Sequence, residues 1–303
     1  MENNSAVKKT FKSSDTEEKL DVFFYRPFGY VMALAAKKFN ITPNAVTYFS
    51  ILVGVAAGHM FYYEDLLLNV IGILLLIWAE ALDSTDGQLA RITNTKSRFG
   101  RILDGLGGNL WFLSIYIHIC LRMINFHDYS PLVFGIALIA GLSHSFQSAY
   151  ADYFRNFYLF FVYGSKSSEI DSSKRLKEEY DSMSWSKAPF NKLLMRVYLN
   201  YTMEQEMLSK KTRALYKAVK DKYADKVDEK FIQVYRSKFK PMIKYFNVLT
   251  TNTRMIILFI AILTGYYMYY FYFELTVLNI LLIYTVSKHE KQSEQMLDML
   301  KSA

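Results

Sequence analysis

The chain has a single cysteine, Cys120, among 303 residues. That excludes an intramolecular disulfide, and the apolar run around Cys120 marks it as a small buried side chain. The N-terminal stretch MENNSAVKKTFKSSDTEEK has no apolar core, so a cleavable signal peptide is not expected there. The sequence contains no internal repeat of about 20–50 residues. It also has no zinc-ligand spacing, P-loop or dinucleotide fingerprint. These absences remove solenoids, zinc modules and the common nucleotide folds.

What is abundant is apolar and basic. Hydrophobic residues make up 52% of the chain and aromatic residues 17%, yet mean hydropathy is only +0.06. The apolar residues must therefore be concentrated. Several windows approach the ~20 residues that a membrane-spanning helix needs. The net charge of +8 fits a cytoplasmic excess of Lys and Arg around spans better than nucleic-acid binding.

The pattern along the chain predicts an all-α, polytopic membrane protein of six transmembrane helices, with an N-terminal interfacial amphipathic helix and a helical cytosolic insert. Residues 1–18 read as a disordered tail. Residues 19–39 combine Phe23, Phe24, Phe28 and Met32 with Arg26, Lys37 and Lys38, a mixture that suits an interfacial helix. Thr42, Pro43 and Asn44 form a helix start. Residues 40–163 hold four spans: Ala45–Tyr63, Leu66–Leu82, Ile102–Ile124 and Pro131–Tyr163. Residues 164–245 form a basic insert of alternating charge, in which Leu208, Leu215, Val219 and Tyr223 predict one or two helices. It acts as a lid or packing element, or as a solvated spacer. Residues 246–286 hold the fifth and sixth spans, and 287–303 form a charged cytosolic tail. Both termini, the loop Thr93–Arg98 and the insert share the basic side, which the positive-inside rule makes cytoplasmic.

The stretch DSTDGQLARITNTKSRFGRILDGLGG, residues 83–108, lies at the junction of the second and third spans. Asp83 and Asp86 are three apart and share a helix face. Carboxylates at the end of a span are costly unless they face a cavity, a partner or a metal. Hard divalent cations take oxygen ligands, and Mg²⁺ joins carboxylates to substrate phosphates. Asp104, on the next helix, can complete such a site. Gly87 and Ala90 share the face of Asp83 and leave room for a flat base or a pyrophosphate. Solvated acids at a helix end are the alternative.

This spacing resembles the signature of the CDP-alcohol phosphatidyltransferase family: two acids three apart, then G, A and R, eight residues, G, three residues, and D. Every position matches except the last, where the family has a fourth Asp and this chain has Gly108. The resemblance implies Mg²⁺ or Mn²⁺ on Asp83, Asp86 and Asp104. It implies a CDP-linked donor held by Asn44, Asp83, Gly87, Ala90 and Arg91. An alcohol would then be joined to the transferred phosphoryl group and CMP released. Membrane lipids would be the substrates, in an inner or plasma membrane with the site facing the cytoplasm. The resemblance allows a homodimer and implies no nucleic-acid partner.

In the family the fourth Asp helps bind a second metal and serves as the base, and glycine can do neither. A polar stripe in the fourth span offers substitutes. His144, Ser148, Asp152 and Arg155 recur at helical steps, bordered by Gln147. Asp152 or His144 is a candidate replacement base and Arg155 a candidate phosphate ligand. A purely structural lock between helices is the competing reading. Asn247, Asn252 and Arg254 are weaker candidates for acceptor contacts, and His289 reads as solvated. Four functions follow: a transferase; a variant head-group transferase using another donor, for example to ceramide; a catalytically silent lipid- or nucleotide-binding homologue; and, with little support, a transporter.

Overall fold

The structure is a computed structural model describing residues 13, 15–223 and 227–302. Residues 1–12 and 14 of the expected N-terminal tail lie outside the described residues. Every regular element among the described residues is helical. The chain divides into two units. The first ends at Leu142 and resumes over Met255–Tyr272; the second comprises Ser143–Arg254 and the chain from Phe273 onward.

The first unit opens with a π-helical turn, Asp21–Tyr25, that runs into α1 (Arg26–Lys38). Ahead of it, Glu17 ion-pairs with Arg26 at 3.0 Å, so the chain there is held rather than frayed. α1 buries Gly29, Ala33 and Ala36 and exposes Phe28 and Val31, and the turn before it exposes Phe23. Its small face meets α3 (Leu66–Ile92): Gln88 Nε2 donates to the Arg26 carbonyl at 3.0 Å.

α2 (Pro43–Met60) starts as its sequence dictates. The Thr42 hydroxyl accepts from the Ala45 amide at 3.3 Å and Pro43 takes the first helical position. Asp65 caps α3 and Ser97 caps α4 (Arg98–Phe126) in the same way. α2 is the spine of the unit. On one side Ser50 Oγ donates to the Ala79 carbonyl of α3 at 3.2 Å. On the other, Trp111 Nε1 of α4 donates to the Ser50 carbonyl at 3.1 Å, and Ser114 Oγ donates to the Val55 carbonyl at 2.9 Å. A Cβ on Gly54 would lie 2.2 Å from Trp111 Cδ1, so only glycine admits this approach. At the far end of α4, buried Arg122 donates to the Phe61 carbonyl and to Asn69 Oδ1, at 3.2 and 3.0 Å.

Among the described residues, four helical stretches are long and apolar enough to cross a membrane: Leu66–Ile92, Arg98–Phe126, Glu229–Thr264 and Tyr267–Ser302. The expected first and fourth spans are also helical, as α2 and α5 (Val133–Tyr163), but are not among the four. Pro43, Asn44 and His59 dilute α2, and the stripe from His144 to Asp152 dilutes α5. The expected fifth span is shorter at its end. α11 (Thr251–Thr264) stops at Gly265, whose φ of 77° is the left-handed turn that terminates helices. The aromatic run that follows is also helical, as α12 (Tyr267–Phe273).

The second unit turns the insert into packed structure. Beyond α5 come α6 (Ser173–Ser182), α7 (Pro189–Met207), α8 (Lys210–Tyr223), α9 (Glu229–Phe239) and α10 (Ile243–Val248). That is more than the one or two helices expected. Tyr150, Phe154, Phe157 and Phe161 line one face of α5 and share a core with Leu215, Val219, Tyr235, Phe239 and Phe246. The Phe154 and Phe246 rings stack with centroids 3.8 Å apart. The C-terminal helix, α13 (Asn279–Ser302), packs along α8, and Thr212 Oγ1 donates to Glu290 Oε1 at 2.7 Å. The insert is therefore a packing element of this unit, not a solvated spacer.

Candidate active site

The residues of the acidic motif do not sit in a loop. α3 runs unbroken to Ile92, so Asp83, Asp86, Gly87, Ala90 and Arg91 project from its last three turns. α4 begins six residues later and presents Asp104 in its second turn. Oxygens of Asp83, Asp86 and Asp104 all lie within 4.8 Å of one another. Among the described residues, no Lys or Arg forms an ion pair with any of the three carboxylates. Asp86 is 4% exposed and its Oδ2 lies 2.5 Å from the Thr47 hydroxyl of α2, which donates to it. Thr47 is thus a further site residue, one turn after the Pro43–Asn44 start.

Converging carboxylates without a cation repel each other and pay desolvation as well. Two oxygens on one divalent ion stand at most twice the metal–oxygen distance apart, about 4.2 Å for Mg²⁺ and about 5 Å for a larger ion. The observed cluster lies close to that span with oxygen ligands only, so the residues present fit a hard divalent cation.

The surroundings of the cluster suit an anionic ligand. Arg91 folds back over Gly87: a Cβ built there would lie 3.3 Å from Arg91 Nη2. Arg91 Nε and Nη2 are buried and have no hydrogen-bond partner, an arrangement that costs stability unless a ligand oxygen meets them. Asn44 Oδ1 lies 3.0 Å from the Cβ position of Gly100 at the start of α4. The first unit therefore brings together Asp83, Asp86 and Asp104, with Arg91 over Gly87 on the same helix end and Asn44 beside Gly100 at the start of α4. At the position of the absent fourth acid, a Cβ on Gly108 would meet nothing within 4 Å.

His144, Asp152 and Arg155 belong to the second unit. Asp152 Oδ1 accepts from Asn156 Nδ2, and its Oδ2 from Gln205 Nε2 of α7, both at 3.2 Å. Arg155 Nη2 donates to Asn247 Oδ1 at 3.5 Å. His144 is buried. Gln147 is a connector: Nε2 donates to the Glu274 carbonyl at 3.2 Å and to Asn279 Oδ1 at 2.8 Å, and Oε1 accepts from Arg254. Arg254 and Glu274 are both 0% exposed and pair at 2.6 Å. Arg254, read as an acceptor contact, is tied into this network through Nη1 and Nη2, while its Nε is buried without a hydrogen-bond partner among the described residues. His289, read as solvated, is 1% exposed, with Nδ1 2.9 Å from the Tyr150 hydroxyl. Its position on the buried face of a long C-terminal helix was hidden by the charged residues beside it.

Residues 40–152 match the protein-family model described as CDP-alcohol phosphatidyltransferase. An uncharacterized protein of Aquifex aeolicus is 39% identical over 67 residues, which is 22% of this chain and 33% of that protein. The archaetidylinositol phosphate synthase of Pyrococcus horikoshii is 40% identical over 82 residues, 27% of this chain and 42% of the relative. The chain thus spans a third to about two fifths of the length of these curated relatives. No solved structure matches.

Proposed function

We propose that the protein transfers a phosphatidyl or phospho-alcohol group from a CDP-linked donor to an alcohol acceptor, releasing CMP, in a reaction that depends on a divalent metal. The convergence of Asp83, Asp86 and Asp104, within the region that matches the family, carries this reading. A cation bound there would neutralise charge on the donor pyrophosphate. Asp86 is oriented for that task by the Thr47 hydroxyl. Gly87 and Ala90 leave the α3 face open to the nucleotide, with Asn44 at its edge. Arg91 offers two unsatisfied N–H groups to a phosphate. The acceptor oxygen forms the new bond to phosphorus as the bond to CMP breaks, and its proton passes to a carboxylate.

The same reading takes α2 and α5 as spans, giving six with those named above, and α1 as an interfacial helix with Phe23, Phe28 and Val31 in lipid. Termini and site would face the cytoplasm, substrates would be membrane lipids, and a homodimer is allowed. A second reading rests on Gly108: without the fourth acid, the protein binds lipid or nucleotide as a silent partner of an active enzyme.

The test is CMP release by purified protein in detergent with Mg²⁺ or Mn²⁺. CDP-diacylglycerol and a CDP-linked archaeol serve as donors against a panel of alcohols, including an inositol phosphate because of the Pyrococcus relative's name. Release that chelation abolishes supports the transferase. Tight CDP-donor binding without release, with every acceptor, supports the silent partner.

A further inference from the structure

We propose that α7 is a membrane-surface helix, whose free face lies in the lipid headgroup region and holds the insert against the bilayer. This rests on the topology given above, in which α5 crosses the membrane. α7 has two faces. Leu194, Met195 and Leu199 are buried, and the last two pack with Leu176 of α6. Phe190, Leu193, Arg196, Asn200, Met203 and Met207 are exposed and recur at steps of three or four, which sets them in one stripe along the helix. Four of the six are large and apolar, each between 47% and 55% exposed, and Trp185 in the turn before the helix is exposed as well.

Three observations say what covers the stripe. The first is position. Glu204 accepts from Ser145 Oγ of α5 at 2.7 Å, and Gln205 Nε2 donates to Asp152 at 3.2 Å. Those α5 residues stand ~18 and ~28 Å from its start at Val133, against a hydrocarbon layer of ~30 Å. α7 therefore meets α5 near the inner border of the bilayer. α8 meets the same helix farther along. Tyr216 packs on Phe157 and Phe160, with ring centroids 5.6 and 4.6 Å away. That level is ~36–40 Å from Val133, beyond the hydrocarbon. The second observation is distribution. Between residues 164 and 245, the large apolar side chains exposed among the described residues all belong to α7 or the turn before it, whereas the exposed positions of α8 are Lys, Asp and Ala. The third is charge. The acids of α7 are tied inward, Glu204 to Ser145 and Glu206 to Ser173 and Arg213. Arg196 is the one charge in the stripe, where its guanidinium can meet a lipid phosphate while its apolar neighbours sit at the acyl boundary. That combination holds a helix in the plane of the interface.

Spin labels on the full-length protein test this, in vesicles of phosphatidylcholine and phosphatidylglycerol. Each variant carries one introduced cysteine: Leu193→Cys, Met203→Cys, Lys217→Cys of α8 or Leu138→Cys of α5. Cys120 is buried, and the unsubstituted protein gives the blank. Collisions with oxygen, which concentrates in lipid, are compared with collisions with a water-soluble nickel chelate. Labels replacing Leu193 and Met203 are expected to favour oxygen, and the label replacing Lys217 to favour nickel. Leu138 is exposed on α5, and its label reports the span itself by favouring oxygen. If the Leu193 and Met203 labels meet nickel as readily as the Lys217 label while the Leu138 label stays in lipid, the proposal is overturned and the span stands. Dipolar broadening between labels on two chains at Leu193 or Met203 also overturns it, because a second copy then covers the stripe. If the Leu138 label favours nickel, the span reading falls, and this inference with it.

Discussion

The two units handle buried charge in opposite ways. In the first, oxygens of Asp83, Asp86 and Asp104 are brought within 4.8 Å with no contact ion pair to a Lys or Arg among the described residues, and Arg91 holds unsatisfied N–H groups on the same helix end. In the second, Arg254 and Glu274 neutralise each other completely out of water, and Gln147 ties both to Asn279. Asp152 likewise accepts from two side-chain amides. An ion pair held out of water by its own partners differs from converging carboxylates that repel one another until a cation arrives. The contrast supports the proposed function, in which ligand chemistry sits on the acidic cluster, while Gln147 and Asp152 of the α5 stripe are hydrogen-bonded to neighbouring elements.

The largest effect should come from breaking the closed network. Arg254→Met strips the buried Glu274 of its cation and is expected to cost about 3–5 kcal/mol. Thermal unfolding in detergent measures it, and Arg254→Met/Glu274→Leu should recover most of the loss. Next is Asp86→Asn, which should lower CMP release by about 10²–10³-fold, the usual scale for losing a main electrostatic stabiliser. Unlike the arginine variant, it should leave the metal-free protein as stable as wild type or more so, because one of three clustered negative charges is gone while the Thr47 hydrogen bond has a carbonyl oxygen to accept it. Asp152→Asn sharpens the contrast from the other side. Replacing a carboxylate that accepts two amide hydrogen bonds should cost about 1–2 kcal/mol and change turnover per folded molecule only a few-fold. A loss of about 10² or more in rate would return Asp152 to the role of base. The smallest effect is Gly108→Ala. With nothing near its Cβ, it should stabilise α4 by about 0.5–1 kcal/mol, seen as a slightly higher melting temperature.

The acidic site was legible because fixed spacing on a helix determines which side chains share a face. Asp83 and Asp86, with Gly87 and Ala90, needed only the helix to continue, and it does. Thr47 was not legible as a donor to Asp86, since nothing in the sequence records how α2 lies against α3. The spans of α3 and α4 follow directly from their apolar runs. The limits of the later helices were less readable, because a glycine inside an apolar stretch, as at Gly265, does not announce its φ. The second unit was the least legible. Its core joins Phe154 to Phe246 and to His289, residues separated by a charged insert whose surface positions dominate its composition.

The arrangement around α2 has a mechanical consequence. Ser50 fastens α2 to α3, and Gly54 and Gly58 seat α4, while α3 and α4 pack little against each other among the described residues. The carboxylates therefore sit on two arms joined through a shared fulcrum, and whatever draws those arms together must flex the contacts along α2. Gly54 lies about two turns from Thr47. A methyl group added there would press on Trp111 and splay the α4 arm. The stiffness of a glycine seat deep in the bundle and the strength with which the acidic end grips its ligand thus belong to one elastic system.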